Sequence, residues 1–338
     1  LEDAQWRETT AMLAPCLFDE GGGVRVDRLA EHILNTAQAP DTNQLEHQAR
    51  LAGLVGRILV PMDTYGYKAR ADIAERYRGL LNSVLPLFEE AKASVEVSAE
   101  ARVAAAEALG RAGDPRLESN RFITVPNTQV ALGRYPVTVQ DYLPFVEAGG
   151  YENSEWWSPL GWQTRHDNGW REPDKWAEQL QHQTRPVIYV SYFEAEAFCG
   201  WLTVELGRRC WLPDGDEWSA IAERGRAQFP WGDDEPTDQH ANFRHRHGGC
   251  TPVGCFPLGD GSFGHGDVAG NVWEWTAEVH EPTDDETKAW GKEIIWFKLR
   301  GGGWGHPAED LASAIRIRSR AEDRYSGVGF RVASALDD

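Results

Sequence analysis

An α+β fold built from two unlike regions is what the sequence predicts, and three observations predict it. From residue 1 to about 117, apolar residues recur at helical spacing. At Asn120 the text changes to short β-rich runs broken by turns and single amphipathic helices. Of fifteen tryptophans only Trp6 precedes residue 156, and the other fourteen lie between Trp156 and Trp304. At roughly 100 to 200 residues per domain, 338 residues make two domains or three. We expect an α-helical region over 1–117 and a loop-rich α+β domain over 118–338.

In the first region Leu45, Ala49, Ala52, Val55 and Leu59 form one stripe, and Leu80, Leu81, Val84 and Leu87 another. Gly21 to Gly23, Pro40 and Pro61 punctuate them, which predicts four or five helices. The segment from Arg102 to Glu118 is Ala/Leu-periodic, ends in Gly-Asp-Pro and resembles one HEAT-type repeat. One repeat cannot bury its own apolar face, and no second copy follows at a fixed period. The region carries no phosphate-binding G-x-x-x-x-G-K-[ST] loop, no H-x-x-x-H pair and no cysteine cluster, and His32 and His47 stand alone. An adaptor is expected, the end of a HEAT-like or sensor-NTPase array. The chain opens on Leu and contains only Met12 and Met62, so we expect a piece of a longer protein with a fused or associated signalling or effector domain.

In the second region, strands are expected over Phe122–Val125 and Val130–Leu132, then a helix over Asp141–Ala148. Val187–Val190 reads as a β-branched strand leading into a helix whose start is marked by Ser191 and, three residues on, Glu194. In that capping-box pattern each side chain satisfies a backbone N–H of the other. Another helix follows Pro213. The remainder, rich in Gly, Trp and Asp, needs short strands and specific turns to hold long loops. Trp273, Trp275 and Trp304 suit plugs for such a core, and Gly301 to Gly303 suit close backbone approach. Arg300, Arg316 and Arg331 are expected to pair with Glu274 or Glu217.

Acidic residues outnumber basic ones 53 to 34, a formal charge of −19 that opposes binding to nucleic acid or anionic membranes. No stretch approaches the roughly 20 apolar residues of a membrane span, and the start lacks the basic and apolar parts of a signal peptide. Five cysteines are few and odd in number, which fits reduced thiols in the cytoplasm. A Cys199/Cys210 or Cys250/Cys255 bridge is the alternative.

Several motifs in fixed order resemble the formylglycine-generating-enzyme (sulfatase-modifying factor) family, which uses a C-type-lectin-like fold. They include RYPVTVQDYLPFV from Arg134, PVIYVSYFEAEAFCGWL from Pro186, LPDGDEW from Leu212, TPVGCFPLG from Thr251, DVAGNVWEWT from Asp267, LRGGGW from Leu299 and GFRVA from Gly329. The resemblance covers nearly two thirds of the chain. Aerobic members that make formylglycine depend on two copper-binding cysteines between the RGG and GFR motifs, and this chain has none there. Related iron-dependent sulfoxide synthases take ligands from an H-x-x-x-H-x-E motif in an added helical domain, which the helical region here lacks. Neither copper nor iron is therefore expected. His245, His247, Cys250 and Cys255 form a zinc candidate on residue type alone. The resemblance itself implies a structural calcium on Asn242, Asn271, the Val272 carbonyl and Glu274.

The family also includes noncatalytic display scaffolds, among them variable proteins of diversity-generating retroelements. In those, adenines of AAC codons are mutated near the end of the lectin-like domain. Gly305, His306, Pro307, Ile317, Ser319, Arg320, Tyr325, Ser326 and Gly327 are all residue types such a codon can become. From Arg300 to Arg331 the charge is about +2, six Arg against four acids, and Arg and Tyr suit a contact face. We expect a noncatalytic recognition module that binds a protein ligand through this face. The alternative is a divergent metal-dependent oxidoreductase of the formylglycine-generating or sulfoxide-synthase type.

Overall fold

In the computed structural model of the chain the described residues are 4–36, 44–59, 62, 65–118, 121–223, 225, 227–281, 283 and 294–336. They form two compact units, Leu1–Pro115 and Arg116–Asp338. The first holds α1 (Ala4–Gly21), α2 (Gly23–Thr36), α3 (Gln44–Leu59), α4 (Ala71–Val84), α5 (Pro86–Glu89), α6 (Ala91–Val95) and α7 (Ala99–Ala112). Those seven exceed the four or five expected because α5 and α6 are single turns, too short to show a period. Small residues let α3 and α7 approach closely. A Cβ on Gly53 would stand 2.6 Å from the Ala104 Cβ, and one on Gly56 would stand 3.0 Å from the Ala108 Cβ. Glu46 of α3 accepts from the Ser98 backbone N–H at 2.7 Å and its hydroxyl at 2.9 Å, which ties the capped start of α7 to the same helix.

The second unit is α+β. One sheet runs β1 (Phe122–Thr124), β2 (Val130–Gly133), β8 (Ala333–Ala335), β3 (Cys210–Trp211), all antiparallel. The other runs β6 (Ile317–Arg320), β5 (Trp296–Arg300), β4 (Trp273–His280), β7 (Val328–Phe330), with only the β4–β7 pair parallel. The helices α8 (Val139–Glu147), α11 (Tyr192–Leu206) and α12 (Gly215–Ala222) each start on a capping box, made by Thr138/Asp141, Ser191/Glu194 and Asp214/Glu217. Two further helices, α9 (Pro159–Asn168) and α10 (Trp176–Gln179), lie between α8 and α11 in the chain. Tyr142 stacks on Phe198 with centroids 5.2 Å apart, and Phe145, Trp201 and Phe330 close around them in the main core.

Two local expectations are corrected. Val187–Val190 is not a strand: Tyr189 takes the left-handed conformation at φ 56°, which breaks the run, though Val187 and Val190 are buried as an inner strand's would be. Of the three arginines only Arg331 pairs with Glu274, through Nε at 2.6 Å and Nη2 at 2.7 Å, both side chains fully buried. Arg300 lies over the Trp218 ring at 4.5 Å and donates to the Ser313 carbonyl at 2.8 Å, while Trp218 Nε1 takes the place beside Glu274 at 2.9 Å. Arg316 reaches Glu278 instead, and Glu217 accepts from Trp211 Nε1. All five cysteines are free, so neither bridge forms. No helix among the described residues is long and apolar enough to cross a membrane.

Candidate functional site

A pocket of about 700 Å³ opens beside the second sheet. Trp273 of β4, Trp296 and Leu299 of β5 and the whole of β6 border it, with the loops carrying Trp304 to His306 and Asp323 to Gly327. The antiparallel register sets Leu299 opposite Ile317 and Trp296 opposite Arg320, so the β5–β6 ladder builds one wall. Parallel pairing of Trp273 with Val328 brings the 325–328 loop to the other side.

The 303–306 loop is held against a second loop by two backbone hydrogen bonds. Arg244 N–H donates to the His306 carbonyl at 2.9 Å, and His245 N–H to the Trp304 carbonyl at 2.8 Å. Arg244 and His245 both sit at positive φ, 52° and 57°, a strained pair for residues with side chains. Glycine is required opposite: a Cβ on Gly305 would lie 2.8 Å from His245 Cε1. The imidazole of His245 meets the Trp304 ring edge to face at 4.9 Å, and that of His306 meets the Trp273 ring at 5.4 Å.

The polar groups are committed unevenly. Trp304 Nε1 donates to the Ser326 carbonyl at 3.0 Å, and His306 Nδ1 is 3.0 Å from Asp310. Asp323 accepts from Arg320 Nη2 at 2.8 Å and from the Ser319 hydroxyl at 2.9 Å. That carboxylate raises the Arg320 pKa. The Tyr325 phenol is also raised, by burial and then by Asp323, which keeps it a neutral donor. Trp273 Nε1–H is buried and has no hydrogen-bond partner. A buried donor in that state can be satisfied by an acceptor from outside the chain, a water or a ligand.

Eight of the nine residues expected on a binding face line this pocket: Gly305, His306, Ile317, Ser319, Arg320, Tyr325, Ser326 and Gly327. Pro307 does not, because it precedes the 3-10 turn Ala308–Leu311 as its N-cap. Trp273, Trp296, Arg318, Asp323 and His245 also border the pocket and were missed as ligand contacts. Codon reachability could not find them. Trp273 had been read as core, and Trp296 comes from a distant strand, although the tryptophan count was a usable signal.

The zinc candidate does not assemble: among the described residues no group of three or more His, Cys, Asp or Glu side chains is placed to hold a metal ion. His245 faces Trp304, while the Cys250 thiol lies 3.8 Å from the Asn271 carbonyl. Of the oxygens named for calcium, those of Glu274 and Asn271 have internal partners, while Asn242 Oδ1 is buried without one. Both Glu274 oxygens are engaged by Arg331 and one also by Trp218. Asn271 Oδ1 accepts from the Thr251 N–H at 2.9 Å.

Residues 93–336 match the sulfatase-modifying factor enzyme 1-like domain. A hercynine oxygenase of Mycobacterium tuberculosis is 36% identical over 225 residues, covering 60% of this chain and 52% of the relative. One from Mycolicibacterium thermoresistibile is 30% identical over 227 residues, covering 61% and 51%. Among solved structures, Treponema denticola variable protein 1 is 20% identical with a TM-score of 0.44, covering 61% of this chain and 84% of its own. The chain spans about half the length of these curated relatives. The expectation of a chain that is not an enzyme is corrected here, because relatives at this level of identity are oxygenases.

Proposed function

The chain belongs to the sulfatase-modifying factor enzyme 1-like domain family, and from that premise we propose that its second unit binds the substrate in an oxidoreductase of the sulfoxide-synthase type. The substrate we assign is hercynine or a close betaine, seated against Trp273, Trp304 and Tyr325. The 36% identity to a hercynine oxygenase carries this reading.

The chemistry of the pocket supports it. A betaine of histidine presents a quaternary ammonium, a carboxylate and an imidazole. Aromatic faces attract a quaternary ammonium through the negative face of the ring, and Trp296, Trp304 and Tyr325 supply them. Arg318 borders the same space and favours a carboxylate, while Arg320 is held by Asp323. The Trp273 N–H is the donor that a ligand acceptor would complete. These groups bind and orient the substrate and displace water from around it. We place the metal ligands of the whole enzyme outside the described residues, and no chemical step is derived through them.

Calorimetric titration of the chain with hercynine tests the reading. One-to-one binding is expected, weakened about tenfold by Tyr325→Ala. No binding at millimolar hercynine, or an affinity indifferent to that substitution, would overturn it.

A further inference from the structure

A second pocket, about 420 Å³, lies within the 116–338 unit and shares no lining residue with the first. Phe198, Trp201, Leu202 and Leu206 of α11 line it, together with Phe122 of β1 and Val137. Its size falls within the roughly 300–1,000 Å³ typical of small-molecule sites. Two features give it a chemical preference.

The first is Trp201. Its side chain is 6% exposed, its ring lines the pocket, and its Nε1–H is buried without a hydrogen-bond partner. An apolar occupant would leave that donor unpaired, which costs the full desolvation of the group, whereas an acceptor on the ligand would satisfy it. The second is charge. Arg116, Arg121 and Arg208 all line the pocket, against Glu118 and Asp141, in a chain whose net charge is −19. Asp141 is already occupied: Oδ2 accepts from the Thr138 N–H at 3.1 Å in the α8 capping box, and Oδ1 lies 3.6 Å from Arg121. Three guanidinium groups against two carboxylates leave the lining with one net positive charge, so an anion is favoured over a cation.

We infer that this pocket binds a small amphipathic carboxylate, its apolar body against Phe198 and Leu202 and its head accepting from Trp201 within the field of the arginines. The inference is independent of the hercynine reading, because the two pockets have no residue in common.

Octanoate and its neutral counterpart octanamide are the probes, titrated into the full chain by calorimetry and by two-dimensional NMR of the indole N–H resonances. Octanoate is expected to bind at least tenfold more tightly than octanamide and to shift the Trp201 indole resonance. Trp201→Phe removes the donor together with the pyrrole half of the indole, so octanoate affinity should drop about tenfold, with a lower unfolding midpoint but a cooperative transition retained. Leu202→Trp, which fills the apolar wall, should abolish binding of both probes. Equal affinity for the two probes, or a Trp201 resonance unmoved at saturating octanoate, would overturn the assignment.

Discussion

Arg324 donates from Nη2 to Glu194 at 2.8 Å, and the other oxygen of the same carboxylate accepts from the backbone N–H and the hydroxyl of Ser191 at 2.8 Å each. One fully buried carboxylate thus starts α11 and holds down the loop that carries Tyr325 and Ser326 into the candidate site. Arg324 is further fixed by Asp174 at 2.8 Å and the Tyr189 carbonyl at 3.0 Å. Removing the guanidinium leaves the buried Glu194 carboxyl without its cation, with only the Ser191 and Tyr151 donors to hold it. Arg324→Met should cost about 3–5 kcal/mol in urea unfolding, and Arg324→Met with Glu194→Gln should recover much of that loss. A double variant no more stable than the single one would refute the coupling.

Gly53 should be intolerant of any side chain. Its missing Cβ is what allows α3 to lie against Ala104, and the atom that would be struck is part of the facing helix. Gly53→Val should lower stability by about 1–3 kcal/mol through overpacking, read as a fall in Tm. Gly79, with nothing within 4 Å of an added Cβ, is the control. Gly79→Ala should be neutral or mildly stabilising, because alanine favours a helix interior.

Stability should depend on pH through two neighbouring acids, a half-buried Asp260 and a buried Asp267. Burial, then the neighbouring Asp267, raises Asp260 from 3.8 to about 8, and burial raises Asp267 to about 6. Below pH 4 both are protonated in folded and unfolded chains alike, and they contribute no slope. Between about pH 4 and 8 the folded chain holds more protons, so stability falls as pH rises through that window. Asp260→Asn should flatten the dependence and stabilise the protein above pH 8, as measured by Tm across pH 4–9. An unchanged slope would count against the pairing.

Trp273→Phe should separate stability from binding. The indole N–H has no partner in the protein, so the loss of stability should be limited to the modest cavity cost of trimming a buried ring, a fall of a few degrees in Tm. Affinity for a ligand whose acceptor it meets should fall about five- to tenfold, because that acceptor loses its donor. A fall in Tm with affinity unchanged would mean that the indole serves packing alone.

Local signals in the chain were legible where the controlling atoms are close in sequence. Ser191 and Glu194 announced a capping box and form one, and the Phe122–Val125 and Val130–Leu132 runs became β1 and β2. Val187–Val190 misled because its composition is that of a strand, while Tyr189 N–H bonds to the Tyr325 carbonyl and turns the backbone left-handed. A partner 136 residues away cannot be read from a four-residue window. The arginines show the same limit: residue types foretold buried pairing, but the choice of Arg331 over Arg300 for Glu274 depended on where Trp218 fell.

By itself the sequence determined the α+β class, the order of the motifs and the concentration of a candidate surface between residues 300 and 332, since each depends on local periodicity, caps and composition. Only the tertiary structure decided that eight of those residues meet Trp273 and Trp296 around one pocket. It also decided that Asn271 and Glu274 spend oxygens on internal partners and that the indole donors of Trp273 and Trp201 are left without one. The physical reason is common to all three. A hydrogen bond or a pocket wall is a relation between groups brought together by strand pairing and loop closure, and neither distance nor satisfaction is a property of a residue type.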